Sequence, residues 1–264
     1  MTQQLNLEDK KGIVFGLAND RSYAWYITRS LIKAGARPVF AYLPGEKNER
    51  RIRKALEELE LADPWLFPCD VSSDADLDKL FQKLEIDFGH IDFVVHSVAF
   101  ADKQYLKIGN FHQTPRDVWA QALDISAYSL IAIAKRACTI MPEQGGSIVS
   151  MSYIGGEKVV PGYNIMGVAK AALETTNRYL ALELGQMNIR LNCISGGPLR
   201  TLSSMSVGNF EKMLAHQEKY APLRRNIEGE EVGKAAAFLL SPASSAITGE
   251  VIHVDAGFSH LACF

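Results

Sequence analysis

An α/β fold, with a parallel sheet covered by helices on both faces, is the architecture this sequence predicts, on three observations. Short runs that are apolar throughout recur along the chain, amphipathic segments separate them, and no linker-like, repetitive or low-complexity stretch interrupts the alternation. A strand that is apolar on both sides must be buried on both sides, and a parallel sheet between two helical layers provides that burial. With 264 residues, 47% of them hydrophobic, the chain can fill one large core. The expected unit is a single domain over 1–264: a Rossmann-like, doubly wound parallel sheet of seven strands.

The elements follow in order. Residues 12–15 (GIVF) form the first buried strand, and a helix follows over about 22–34. Residues 38–42 (PVFAY) are the second strand, and 49–61 a charged amphipathic helix. Residues 65–69 (WLFPC) make the third strand and 74–88 the third helix. The fourth strand is 91–96 (IDFVVH), after which 115–141 carries one long helix. The fifth strand is 146–151 (GSIVSM), followed by a helix running to about 184. The sixth strand is 189–194 (IRLNCI), the segments 210–219 and 229–240 are helical, and 251–254 (VIHV) is the last strand.

Charge excludes some partners. The chain has 28 basic and 30 acidic residues, a formal charge of −2, which gives neither a nucleic-acid surface nor a polybasic membrane anchor. No apolar run reaches the ~18 residues that a spanning helix needs. The opening residues, MTQQLNLED, are polar and acidic, unlike a secretory signal or an Arg-rich transit peptide. Cys69, Cys138, Cys193 and Cys263 are scattered, with no C-x-x-C pair, and the histidines, among them His90, His96, His112 and His253, have no metal-ligand spacing. The expectation is a cytoplasmic protein with reduced thiols and no metal.

The first strand runs into Gly16-Leu17-Ala18-Asn19-Asp20-Arg21-Ser22-Tyr23-Ala24. Small residues at Gly16, Ala18 and Ala24 let a backbone approach a pyrophosphate at the N-terminus of the next helix, and Ser22 can cap that helix. The turn is not G-x-G-x-x-G, and in isolation an ordinary strand-to-helix turn reads equally well. After the second strand no carboxylate precedes Glu46, and Lys47, Arg50, Arg51 and Arg53 follow. These cations suit a 2′-phosphate or simply the solvated face of a helix, so the choice between NADH and NADPH stays open. Asp70, at the end of the third strand, fits either an adenine site or a helix cap.

Tyr163 and Lys170 are seven residues apart. On a helix this places them on one stripe, about 10.5 Å apart along the axis. A phenol there can donate to developing negative charge, and an ammonium can stabilise that charge and hold cofactor hydroxyls.

Together these residues make the chain resemble the short-chain dehydrogenase/reductase superfamily, and more closely its enoyl-acyl-carrier-protein reductases of type II fatty-acid synthesis. The resemblance rests on the 16–24 turn, His96-Ser97-Val98-Ala99-Phe100-Ala101, Ser152-Tyr153-Ile154-Gly155-Gly156 with Tyr163 and Lys170, Gly197-Pro198-Leu199-Arg200-Thr201-Leu202, and the closing 248–258 segment. Typical superfamily members carry Y-x-x-x-K, an N-N-A-G turn and a catalytic Asn. This chain has Gly167 at that Lys position, His96-Ser97-Val98-Ala99 at the turn, and Asp124-Ile125-Ser126 at the Asn. Each departure is toward the enoyl reductases.

The resemblance implies roles position by position. NADH is the implied cofactor, with NADPH still admitted. Gly16, Ala18, Ser22 and Tyr23 line the pyrophosphate; Leu43 adjoins the adenosine ribose, and Asp70 and Val71 the adenine. Ser97, Val98 and Ala99 run under the cofactor, Lys170 holds the nicotinamide ribose, and Leu199, Arg200, Thr201, Leu202 and Ser203 close over the nicotinamide. Tyr163 and Tyr153 are the catalytic tyrosines and, with Ala101, Met166, Val207 and Phe210, contact substrate. A substrate-binding loop and helix are implied at about 199–220. The implied reaction is hydride transfer from NADH to the β-carbon of a trans-2-enoyl thioester, with the enolate stabilised by Tyr163. The implied partner is an acyl carrier protein, but the helix that would receive it offers Lys212 and has Gly208 and Glu211 where relatives can carry positive charge, with Arg224 and Arg225 further on, so weak or differently placed docking is expected; the implied assembly is a homotetramer. Read for chemistry alone, Tyr153, Met166 and Phe210 also fit core packing, and His96 fits a local structural hydrogen bond. A ketone-directed 3-oxoacyl-type reductase and a non-catalytic nucleotide-binding module are the rival readings.

Overall fold

A computed structural model gives the structure, which describes residues 5–61, 63–201 and 210–261. Seven strands form one sheet: β1 (Lys11–Phe15), β2 (Arg37–Tyr42), β3 (Leu66–Pro68), β4 (Phe93–His96), β5 (Gly146–Ser152), β6 (Ile189–Gly196) and β7 (Val251–Val254). Their order is β3-β2-β1-β4-β5-β6-β7 and every pairing is parallel. The doubly wound seven-stranded sheet expected from the apolar runs is therefore present.

Among the described residues eight α-helices cover it: α1 (Tyr23–Lys33), α2 (Glu46–Glu57), α3 (Asp74–Phe88), α4 (Arg116–Leu123), α5 (Ser129–Ile140), α6 (Asn164–Leu184), α7 (Phe210–Tyr220) and α8 (Gly229–Leu240). Two apolar layers separate the faces. Val14, Phe40, Val95, Val149 and Ile194 pack with Ile27 and Leu31 of α1, Ile52 and Leu56 of α2 and Val232 and Leu239 of α8. On the other face Ile13, Val39, Val94, Ile148 and Leu191 pack with Leu77 and Leu80 of α3, Leu130 and Ile133 of α5 and Leu173 of α6. Successive strand residues point to opposite faces, and so these continuous apolar runs feed both layers.

Local chemistry fixes the helix ends. The Ser22 hydroxyl accepts from Trp25 N to start α1, Ser73 accepts from Asp76 N to start α3, and Glu228 and Glu231 form a capping box on α8. Expectation and structure part in three places. The helix expected over 49–61 begins a turn earlier, at Glu46 after Gly45 (φ +126°), and ends at Glu57, just before Glu60 takes a left-handed φ of +61°. The long helix expected over 115–141 is two helices joined by one π turn, Asp124–Tyr128. Tyr163 sits just before α6 rather than within it, yet its backbone is helical (φ −87°, ψ −28°), so the expected stripe survives.

Candidate active site

The strand order reverses between β1 and β4, and crevices at such switch points receive ligands. Gly16, following β1, has φ +87°, and a Cβ there would collide with the Ser97 carbonyl oxygen beyond β4. Only glycine permits both the backbone conformation and the approach. The N-terminus of α1 opens beside it, capped by Ser22 and with no acidic residue in its first turn. Such a helix end favours an anion. The Tyr23 hydroxyl donates to the Gly197 carbonyl, tying this turn to the loop after β6.

The crevice continues into a cavity of about 470 Å³, a size typical of cofactor and ligand sites. Its nucleotide end is lined by Gly16, Ala18, Ser22, Tyr23, Ser97, Val98 and Ala99, and its floor by Met151, Ser152, Tyr153, Tyr163 and Lys170. Ala101, Met166 and Phe210 form part of the apolar wall, and Leu199 and Thr201 close another side.

At the floor the rings of Tyr153 and Tyr163 meet edge to face, with centroids 4.9 Å apart. Burial raises the pKa of both phenols, so both stay protonated and able to donate. Lys170 is buried and donates through Nζ to the Met151 carbonyl at 2.7 Å. Desolvation lowers its pKa to about 8. It remains mostly an ammonium at neutral pH, with donors beyond the one that Met151 occupies. Gly167, a turn before Lys170, stands where a Cβ would lie 2.7 Å from Gly155 O, so α6 can approach the Tyr153 loop closely.

His96 makes two long-range bonds rather than the local one expected. Its Nδ1 lies 2.8 Å from Ser150 Oγ and its Nε2 2.8 Å from Ser129 Oγ. Because Ser129 donates its own proton to the Ile125 carbonyl, it accepts from Nε2–H, and Ser150 donates to Nδ1. Burial first, and then the nearby Lys170, push the imidazole down to about 3, so it is a neutral strut between β4, β5 and α5. The π turn braces a neighbouring loop. Ser126 accepts from Phe100 N at 2.9 Å and donates to Phe100 O at 3.1 Å, holding the segment that carries Ala99 and Ala101.

Several candidate residues stand apart from the cavity lining. Leu43 is an exposed side chain at the end of β2, and Val71 follows β3. Asp70 spends one carboxylate oxygen on Ser72, accepting from its N–H at 2.9 Å and its hydroxyl at 2.7 Å. Arg200 turns to the surface and pairs with Glu211 of α7. Leu202, Ser203 and Val207 lie outside the described residues, as does most of the loop expected before Phe210. Conversely, Asn19, Phe100, Lys103, Leu106, Pro198 and Met213 line the cavity and were not among the residues expected there. Asn19, Phe100 and Pro198 sit inside the motifs that carry the resemblance; Leu106 and Met213 carried no signal beyond hydrophobicity.

A parallel 3-2-1-4-5-6-7 sheet, a glycine at its switch point and a Tyr–Lys pair in the same cavity define a nucleotide-dependent reductase of the short-chain dehydrogenase/reductase type. Residues 16–259 match the family model for enoyl-(acyl carrier protein) reductase. The chain is 48% identical to an NADPH-dependent enoyl-[acyl-carrier-protein] reductase of Staphylococcus aureus, over 96% of this chain and 98% of that protein. It is 47% identical to the NADH-dependent enzyme of Bacillus subtilis, over 96% and 97%. Among solved structures, the Bacillus cereus enoyl-acyl carrier protein reductase with NADP+ and indole naphthyridinone superposes with a TM-score of 0.94 at 47% identity, covering 97% of this chain and 99% of that one. The Anaplasma phagocytophilum enzyme in complex with NAD gives 0.92 at 43%, covering 99% and 98%. The chain belongs to the enoyl-acyl-carrier-protein reductase family.

Proposed function

We propose that this protein reduces the carbon–carbon double bond of a trans-2-enoyl thioester borne by an acyl carrier protein, in type II fatty-acid synthesis. The observation that carries the reading is the convergence of the Tyr153–Tyr163 pair and buried Lys170 in the cavity that opens from the Gly16 crevice. The crevice fits a dinucleotide, because Gly16 leaves room where any Cβ would clash and the α1 N-terminus offers its positive end. Gly16, Ala18, Ser22 and Tyr23 would hold the pyrophosphate, Ser97, Val98 and Ala99 the underside, and Lys170 the nicotinamide ribose. Leu199, Arg200 and Thr201 would close over it, with Leu43, Asp70 and Val71 serving the adenosine end. When bound, the nicotinamide supplies the hydride.

The chain's own residues do the rest. Tyr163 donates to the thioester oxygen as it gains enolate charge, and Tyr153 packs against its ring. Lys170 keeps the field at that oxygen positive. The α-carbon proton comes from Tyr163 through a relay or from water. Ala101, Met166 and Phe210 wall the acyl chain.

NADH is the cofactor in this reading, with NADPH still admitted by the cations Lys47, Arg50 and Arg51 on α2. The exposed end of β2 presents Leu43, Pro44 and Gly45, and Arg53 is already paired with Glu49. Carrier docking falls to the face around Lys212, which is exposed on α7, whereas Glu211 engages Arg200 and Arg225 engages Glu231. Trp119, Tyr128 and Ile131 on α4, the π turn and α5, with Tyr179 and Leu182 on α6, are exposed in one chain. Their burial in a homotetramer accounts for that surface. No described helix is long and apolar enough to cross a membrane, which accords with action in the cytoplasm. Enoyl-thioester-dependent NADH oxidation tests the reading; ketone-only turnover would redirect it to a 3-oxoacyl-type reductase.

A further inference from the structure

One buried acid has no part in the chemistry above. Glu174 of α6 is 5% exposed and lies one helical turn beyond Lys170 on the same stripe. Its carboxylate accepts from the Ser152 hydroxyl at 2.5 Å. Its Oε1 stands 2.8 Å from where a Cβ on Gly156 would be, so the acid fills the space that glycine leaves.

The stripe reads the end of β5 residue by residue. Lys170 takes the carbonyl of Met151, Glu174 takes the hydroxyl of Ser152, and Tyr163 packs on the ring of Tyr153. Three consecutive residues of the site floor are thus held by three side chains of one helical face.

Resting on the reductase reading above, we propose that Glu174 is a positioning residue for this reaction: its carboxylate fixes the end of β5 through Ser152 and serves as the countercharge that keeps buried Lys170 an ammonium. Every neighbouring charged or titratable group bears on this. Lys170 is faced by Glu174 from its own helix, by Cys193 of β6 and by His96 of β4. Cys193 is a buried thiol pushed up to about 12, and His96 is neutral, so neither opposes the ammonium at neutral pH. Glu174 is faced by Ser152, by Glu157 after β5, by His253 of β7, by Arg178 of α6, by the Cys193 thiol of β6 and by the protonated Tyr163 phenol. His253 Nε2 and Glu157 Oε1 lie 2.8 Å apart without hydrogen-bond alignment. Burial raises the pKa of Glu174, and the Ser152 hydroxyl opposes that rise. The Ser152 hydroxyl, then His253 and Arg178, favour the ionised form, and Lys170 stands one turn back on the same buried stripe.

The test is the pH profile of kcat for Glu174→Gln, with an enoyl thioester and saturating NADH. Loss of the countercharge lowers the Lys170 pKa, so the alkaline limb moves to lower pH by about one unit. Turnover then falls roughly fivefold at about pH 8 and converges on wild type at about pH 6. Glu174→Asp, which keeps the charge, returns the limb toward its wild-type position. An unmoved limb, or an equal loss at every pH, overturns the proposal. Should Glu174→Gln not fold, the double variant Lys170→Met/Glu174→Gln decides. Recovered folding identifies the unpaired ammonium as the fault and supports the pair, whereas continued failure assigns Glu174 to the fold alone and overturns it. Wild type and Tyr163→Phe are run alongside. No enoyl turnover by wild type defeats the enclosing reading, while turnover with an unmoved limb defeats only the role of Glu174.

Discussion

Lys170 and Met151 join helix to sheet at the floor of the site: the ammonium of α6 donates 2.7 Å to the carbonyl of β5, one residue before the Ser152–Tyr153 step. This bond holds a cation in a place where water cannot. Desolvation is the largest influence on it and brings its pKa from 10.5 to about 8.

The folded pKa of Lys170 lies below its unfolded value, so the unfolded chain binds more protons between about pH 8 and pH 10.5. The penalty of burying the ammonium is complete below pH 8 and is relieved as pH rises through that window. Lys170→Met/Glu174→Gln, which removes the buried ammonium together with its countercharge, therefore raises the stability of the cofactor-free protein at pH 7 by about 1–3 kcal/mol, the lost Met151 bond offsetting part of the gain. The same variant loses NADH affinity. Urea unfolding with and without NADH reads both effects; a less stable apo variant contradicts the burial argument.

Gly16→Ala places a methyl against the Ser97 carbonyl from a backbone at φ +87°. The expected result is a loss of about 1–3 kcal/mol in unfolding free energy, with weaker NADH binding in the fluorescence titration. Unchanged affinity would remove the pyrophosphate from this crevice.

Leu43→Arg puts a guanidinium at the end of β2, where a 2′-phosphate would lie. NADPH kcat/KM is expected to rise about tenfold relative to NADH, as one charge-assisted contact can deliver. A ratio that does not move places the ribose elsewhere.

In solution, light scattering is expected to give a mass four times that of the 29.1 kDa chain. Charged residues at Tyr128 and Ile131 should lower it, because both are exposed apolar side chains in the single chain. A monomeric wild type contradicts the shared-helix reading.

The sheet was legible because burial on both faces leaves unbroken apolar runs such as Ile13, Val14 and Phe15, all essentially inaccessible in the structure. Gly16, Tyr163 and Lys170 stood out by residue type, spacing and the family resemblance together, and the structure brings all three to one cavity. The π turn was not: Asp124–Tyr128 continues the helical pattern, and one extra residue in a turn leaves the apolar period nearly intact. Glu174 was not, because a carboxylate on an amphipathic helix reads as solvent-facing until Ser152 is seen beneath it. The partners of His96 were equally hidden, since Ser129 and Ser150 lie 33 and 54 residues away.

The most direct measurement is the rate of NADH oxidation driven by a medium-chain trans-2-enoyl thioester, on CoA and on acyl carrier protein, for wild type and Tyr163→Phe. Wild type is expected to show enoyl-dependent turnover. In the variant, kcat is expected to be lower by about 10²–10³-fold, with NADH affinity retained. Undiminished turnover by Tyr163→Phe, or no enoyl turnover by a wild type that binds NADH, would contradict the role given to Tyr163 and the reaction built on it.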